Sequence, residues 1–427
     1  IPAIFDVFCD TTAPLWDNMF KFFAMPRSKG ASFQSVSMFV RVLSFYISNR
    51  QIEFTLYIKD RPKVIEGIIN MIGNDCIVSL LLAMLECEHS LDILNLQLRW
   101  TNQMVPVLGR KLEDRNSPNL EGDLNGIADF IEQAIIRYPS SALVEELQSP
   151  VVVKPLLTNA FDEKNPSAMA YVIVLLKFLP LCKNRGEYET AQLPQLFVEI
   201  LQHPQNSKLA SSSDGLKSAE KPLQRLFKLL HKAPSLLPPS ITTSCGIIAP
   251  LGLFRLNCVH FVAGLLKSNY HLVDTALIEH RLISRVVDLF FQFKWNNTLH
   301  GLVESMVYHI LENKPSFFCL YLLRDCCLVD RILQAQQNEE QEKKMKTKRE
   351  QGIPHQGYMG HLTNISNAII KSSKVHSAIF YLLEDIPSRA WRKYEEKLKM
   401  VNQVRNTPVG GPAPERKTLR KGQVLLA

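Results

Sequence analysis

Residues 251–312 (LGLFRLNCVHFVAGLLKSNYHLVDTALIEHRLISRVVDLFFQFKWNNTLHGLVESMVYHILE) leave the chain few ways to fold. The stretch reads as three consecutive helices, each apolar along one stripe. In the last, Leu299, Leu302, Val303, Met306, Val307, Ile310 and Leu311 fall at i, i+3, i+4, i+7, i+8, i+11 and i+12, a single helical face. Asn296 or Asn297 stands where an N-cap belongs, its side-chain oxygen able to accept from the first unpaired amides. The middle helix carries Leu282, Ile283, Val286, Val287, Leu289, Phe290 and Phe293 over more than half its circumference, so it must be covered on two sides. Between these two lies only Lys294-Trp295-Asn296-Asn297. Helices joined this tightly pack antiparallel.

A chain of 427 residues is too long for one hydrophobic core and must hold several domains or one repeat array. Hydrophobic content of 46% and charged content of 21% belong to a folded soluble protein. No apolar run reaches the roughly eighteen residues a membrane span requires, and no signal peptide is visible. The first residue is Ile1, not Met, so the true start is expected upstream. The nine cysteines are an odd number, sit mostly in apolar helical stretches, and form no C-x-x-C pair. A reduced cytosolic or nuclear protein is the simplest reading. Of the net charge of +8, residues 342–427 alone contribute +10, from 17 Lys/Arg against 7 Asp/Glu. The helical body is therefore near neutral, and the basic run is first of all a solvated one.

Along the chain, helices are expected over Pro14–Met25, Phe33–Asn49, a segment opened by Pro62, Ile77–Cys87, Leu91–Arg99, Met104–Leu112, Leu120–Tyr138, Ala142–Leu147, Val151–Phe161, Ser167–Phe178, Leu193–Gln202 and Leu223–Leu230. Beyond the central stretch they continue at Leu320–Gln337, Leu362–Lys371, Ser377–Glu384 and Ser388–Met400. Residues 203–222, 233–250 and 338–356 read as irregular or mobile segments within a helical domain spanning 1–404. A disordered basic tail covers 405–427, and no period-two strands stand out. An apolar pair, two residues and a second apolar pair recur at Val64/Ile65, Val152/Val153, Leu196/Phe197, Leu282/Ile283 and Leu328/Val329. The separations of 88, 44, 86 and 46 are near-multiples of 44. That lies within the ~40–47 residues of HEAT and armadillo units. The expected fold is all-α, an irregular HEAT/armadillo-like helical-repeat solenoid.

Catalysis has nothing to stand on. Gly122-Asp123-Leu124-Asn125-Gly126 is like a phosphoesterase GDxHG without its histidine, and Gly73-Asn74-Asp75 is like the start of GNH. A two-metal hydrolase needs the missing histidines to hold its ions, so chance is the better explanation. No GxSxG, GxxxxGK[ST] or HExxH occurs. Gly357-Tyr358-Met359-Gly360 has the GxxG form of a KH loop without KH strands, and a helix-entry turn explains it better. What remains is surface. His300, Glu304 and Tyr308 share a face, as do Arg255, Asn257 and His260. Such faces are more often plain solvated polarity. Trp295 reads either as half-buried corner packing or as an interface anchor.

Four segments carry a resemblance. Leu253–Leu266 (LFRLNCVHFVAGLL), Leu289–Val303 (LFFQFKWNNTLHGLV), Cys327–Glu340 and Gly357–Ile370 (GYMGHLTNISNAII) resemble the SAPS-domain family, regulatory subunits of protein phosphatase 6. The ordered series R-L-N, F-F-x-x-x-W-N-N-x-L-H and G-Y-M-G-H-L is specific, clear over about 250–400 and weaker but collinear over about 20–200. The chain departs from the family in lacking its opening segment and long acidic tail. Gln336 also replaces a tryptophan, and Gln341–Pro354 is unusually basic.

The resemblance implies a non-catalytic scaffold that binds a protein phosphatase 6-type catalytic subunit, directs its substrate choice or location, and meets ankyrin-repeat subunits in the complex. No cofactor, no membrane and no specific nucleic acid are expected, with a cytoplasmic location and the nucleus as a second compartment. The alternative is an armadillo-type transport or trafficking adaptor, which would need a ladder of Trp-Asn pairs where this chain has Trp295-Asn296 alone. The partner face is expected to comprise Arg255, Asn257, His260, Lys294, Trp295, Asn296, Asn297, His300, Glu304, Tyr358 and His361.

Overall fold

Apolar stripes at helical spacing become helices through most of the described residues. The computed structural model describes residues 20, 23, 33–93, 100, 103–182, 197, 222–231, 240–243, 246–345 and 356–407. The expected helices at Pro14–Met25, Leu91–Arg99 and Leu193–Gln202 lie largely outside these residues, as do most of 203–222 and the tail. Two compact units emerge, one of residues 1–314 with 356–358, the other of 315–355 with 359–427.

In the first unit the helices are α1 (Phe33–Asn49), α2 (Gln51–Ile58), α3 (Pro62–Ile69), α4 (Asp75–Ile93), α5 (Met104–Glu113), α6 (Leu120–Arg137) and α7 (Ala142–Leu147). They continue as α8 (Pro150–Ala160), α9 (Ala168–Phe178), α10 (Pro222–His231), α11 (Leu253–Leu266), α12 (His271–Glu279), α13 (Leu282–Gln292) and α14 (Asn297–Asn313). Two layers result. In one, α1 packs on α4, α4 on α6, α6 on α9, α9 on α11 and α11 on α14. In the other, α3 packs on α5 and α5 on α8, and further along α10 packs on α13. Neighbours across the layers, such as α8 with α9 and α13 with α14, close each repeat. Stacking buries the stripe that each helix pair would otherwise expose to water.

The repeat length is written in the polar contacts. Gln103 Nε2 donates to Lys59 O (2.6 Å) and Arg110 pairs with Glu66 (3.1 Å), each across 44 residues. Arg115 Nε donates to Asn159 Oδ1 (2.7 Å), again across 44, and Lys177 pairs with Glu132 across 45 (2.6 Å). Later the step shortens to 40, in His309 Nε2 to Asn269 Oδ1 (3.0 Å) and Lys314 Nζ to Asp274 (2.7 Å). A bond joining the same position of successive units recurs at the length of the unit. The all-α, helical-repeat expectation is thus met, and the 44-residue spacing reappears in these contacts.

Helix ends are satisfied by side chains from the next repeat. Leu112 O, at the open end of α5, accepts from Asn159 Nδ2 (2.8 Å) and Tyr171 Oη (3.1 Å). The Arg285 guanidinium of α13 donates to Leu230 O and His231 O at the end of α10. Carbonyls at a helix C-terminus have no intrahelical partner, and a cation there also meets the favourable end of the dipole. The GDxHG look-alike has a packing role. A Cβ on Gly126 would stand 2.0 Å from Ile72 O, so only glycine lets α6 approach that turn. Asp123 is buried and paired with Lys111 Nζ (2.8 Å).

Two expectations need correction in this unit. The central stretch holds four helices, not three, because Asn269 (φ 52°) and Arg281 (φ 53°) turn the chain at α12 without glycine. Residues 233–250 contain β1 (Ile241–Thr243) and β2 (Gly246–Ile248), an antiparallel pair in which Ile241 faces Ile248 and Thr242 faces Ile247.

The second unit holds α15 (Ser316–Leu320), α16 (Leu328–Met345), α17 (Met359–Ser373), α18 (Ser377–Glu384) and α19 (Ala390–Asn406). The single helix expected over Leu320–Gln337 is broken after a π turn at Tyr321–Asp325, where Cys327 takes φ 54°. Helix α16 then runs to Met345, into residues expected to be irregular. Helices α17 and α19 are joined by Ser366 and Tyr394 hydroxyls (2.9 Å) and by reciprocal amide bonds between Asn367 and Asn402.

Candidate protein-interaction site

The corner Lys294–Asn297 is held from beneath. Asn296, at the N-cap of α14, accepts from Leu299 N through its Oδ1 (2.9 Å), which fixes where the helix starts. His300, one turn further, is fully buried, its Nε2 bonded to Phe290 O (3.2 Å) and its ring edge-on to Phe290 (4.7 Å). Tyr358 closes the cluster, 5.5 Å from both Phe290 and Phe291 and perpendicular to His300, with its hydroxyl on Gln356. Beside it Gly357 lies so close that a Cβ would meet Lys294 O at 2.8 Å and the Trp295 ring at 3.1 Å. The indole is therefore half-buried, with the Gly357 backbone close against one side of it.

Across from this corner runs the chain leaving the hairpin. A cleft of about 670 Å³ separates the two, with Ile241 and Ile247–Gly252 on one side and Gln292–Thr298 on the other. Arg255 ties the walls together. Buried to 3% exposure, it donates from Nε to Leu251 O (2.7 Å) and from Nη2 to Pro250 O (2.8 Å) while its guanidinium lies 4.8 Å from the centre of the Phe293 ring. Burial, then the nearby Arg285, lowers its pKa from the usual guanidinium value. Two carbonyl dipoles and a ring face replace the water that the cation has lost.

The expected face is thus divided by the structure. Lys294, Asn297 and His260 are exposed, and Trp295, Asn296, Asn257 and Glu304 are half-buried, Glu304 accepting from Tyr308 Oη (2.9 Å). Arg255, His300 and Tyr358 are buried, which corrects the expectation that they offer themselves to a partner. His300 in particular, expected at the surface with Glu304 and Tyr308, packs inside with the aromatics. These three hold the corner in shape. His361 belongs to the second unit, half-buried on α17. His260 has its pKa pushed down by partial burial and by Lys267.

The hairpin wall and the role of Phe293 were missed in the sequence. Ile241-Thr242-Thr243 and Gly246-Ile247-Ile248 are runs rich in β-branched residues with two residues between them, a signal hidden by the prolines around it. Among the described residues no group of histidines, cysteines and carboxylates could hold a metal, and no helix is long and apolar enough to cross a membrane.

Comparison with known proteins follows the same segments. The family model SAPS, SIT4 phosphatase-associated protein, matches residues 43–276 and 271–407. Serine/threonine-protein phosphatase 6 regulatory subunit 3-B of Xenopus laevis is 28% identical over 394 residues, covering 84% of this chain and 44% of that protein. Regulatory subunit 1 of Homo sapiens is 24% identical over 391 residues, covering 84% and 43%. The chain spans less than half the length of these relatives, whose names are those of regulatory and not catalytic subunits. A solved engineered protein aligns over 90% of this chain and 82% of its own at 13% identity, with a TM-score of 0.29, too low to bear on the fold.

Proposed function

Because the chain belongs to the SAPS family of phosphatase-associated proteins, we propose that it is a non-catalytic regulatory subunit of a protein phosphatase 6-type serine/threonine phosphatase. It binds the catalytic subunit, meets ankyrin-repeat subunits in the assembled complex, and directs the enzyme's substrate choice or location in cytoplasm and nucleus. The family match over both units carries this reading. The Trp295 corner supports it physically. A half-buried indole beside exposed Lys294 and Asn297 has less freedom to lose on binding than a fully exposed one, and tryptophan is a favoured interface anchor.

Purified chain mixed with the catalytic subunit should co-elute as a complex, and the chain alone should not hydrolyse phosphoserine peptides. A chain that never retains the catalytic subunit would end the proposal. The transport-adaptor alternative gains nothing from the structure, because Trp295-Asn296 is not repeated along the units.

A further inference from the structure

The cleft beside Trp295 has walls made of chain in unbroken runs. Ile247 to Gly252 line one side consecutively, and Gln292 to Thr298 the other. Successive residues of an extended segment point to opposite faces, so an unbroken run means that the backbone edge itself borders the space. In that run Ile247 pairs with Thr242, one step from the closing pair Thr243 and Gly246, which stand three apart in the chain. Closing pairs exchange both hydrogen bonds, and the next pair does not, so the N–H and C=O of Ile247 point away from β1. Its side chain is 75% exposed, an apolar group beside an open strand edge.

The charge of the cleft has one sign. Among the described lining residues Lys294 is the charged one and is exposed, and none is acidic. Helix α14 begins in the same wall, its dipole adding positive potential there. The slot is thus apolar at Ile247 and the Trp295 ring, edged by the outward N–H and C=O of Ile247, and electropositive at Lys294. An extended acidic-apolar peptide matches all three features, whereas a helix would leave the strand edge unpaired.

We infer that the cleft takes an extended segment of a partner protein, added along Ile247 as a third strand, with an apolar side chain against Trp295 and a carboxylate facing Lys294. The inference rests on reading this corner as the partner interface and names what the partner inserts. With ~3.3 Å of rise per residue, walls of this length fit a segment of about four to six residues.

The test is fluorescence anisotropy of the whole chain with a labelled heptapeptide, Ser-Ile-Glu-Val-Asp-Ile-Ser, beside a version with lysines for the acids and one with proline for the central valine. The expected result is saturable binding of the acidic peptide only, weakened tenfold or more by Lys294→Glu or Trp295→Ala and lost with proline, which has no N–H to donate. Lys294→Glu should instead favour the lysine peptide. Unchanged binding to Lys294→Glu, equal binding of the proline peptide, or full displacement by millimolar citrate (a simple anion site) would overturn it. So would self-association in sedimentation that blocks the peptide, since the occupant is then a second copy. Catalytic-subunit capture is measured separately. Capture without peptide binding removes this inference alone, and peptide binding without capture removes the proposed function alone.

Discussion

Arg255 lays its guanidinium 4.8 Å above the Phe293 ring while donating to the carbonyls of Leu251 and Pro250. One side chain thereby sets the distance between the two walls of the Trp295 cleft. Arg255→Ala leaves one buried and one part-buried acceptor unpaired and should cost about 2–4 kcal/mol in urea unfolding. Arg255→Lys keeps the charge but loses the planar fork and the stacking, so its stability should fall between the two and its partner binding should weaken. Wild-type stability in Arg255→Ala would show that the brace is ornamental.

His300 is a core residue, fully buried. Its replacement by alanine empties a space between Phe290 and Tyr358 and should destabilise by about 2–4 kcal/mol. Thermal and urea unfolding measure this directly. Loss of partner binding with unchanged stability would instead place His300 at the interface.

Lys314 and Asp274 form a bidentate pair, 1% and 7% exposed, that locks α14 to α12. Burial raises the Asp274 pKa and lowers that of Lys314, each opposed by the other's charge. Breaking the pair from one side strands a buried charge, so Lys314→Met should cost ~3–5 kcal/mol. The double variant Lys314→Met with Asp274→Leu should recover most of that loss. A double variant as unstable as the single would deny the coupling.

The helical part of the fold was legible because its signal is local. Phe33–Asn49, Ala142–Leu147 and Ser377–Glu384 carry apolar spacing and ends that sequence defines, and the structure keeps those bounds. Breaks made without glycine or proline were not legible. Asn269, Arg281 and Cys327 adopt left-handed backbone because tertiary packing demands a turn there. The candidate site divides in the same way. Trp295 and Asn296 announce a corner, but whether His300 or Arg255 faces water depends on what Tyr358 and Phe293 bring from elsewhere. Polar residues one helical turn apart look the same on paper whether they are solvated or used as mortar.

His309 gives the unit a pH dependence. Its Nε2 meets Asn269 Oδ1 (3.0 Å) and its Nδ1 meets the Asn313 amide (3.3 Å), a pattern that the neutral ring satisfies. Burial, then Lys314 and Lys267, holds its pKa below the ordinary 6.5. The unfolded chain therefore takes up a proton near pH 6.5 that the folded chain refuses, so this contribution is complete above that pH and lost as pH falls below it. Urea midpoints at pH 7.5 and 5.5 should differ more in the wild type than in His309→Gln. An equal difference in both would remove His309 as the cause.

If the Trp295 corner docks a phosphatase catalytic subunit, as proposed, the indole must carry part of that affinity. The most direct measurement is the dissociation constant of the purified catalytic subunit for the wild type and for Trp295→Ala, with helicity followed by circular dichroism. We predict binding weakened at least tenfold, about 1.4 kcal/mol or more, with the helical signal unchanged. Equal affinity in both proteins, or no binding by the wild type, would contradict it.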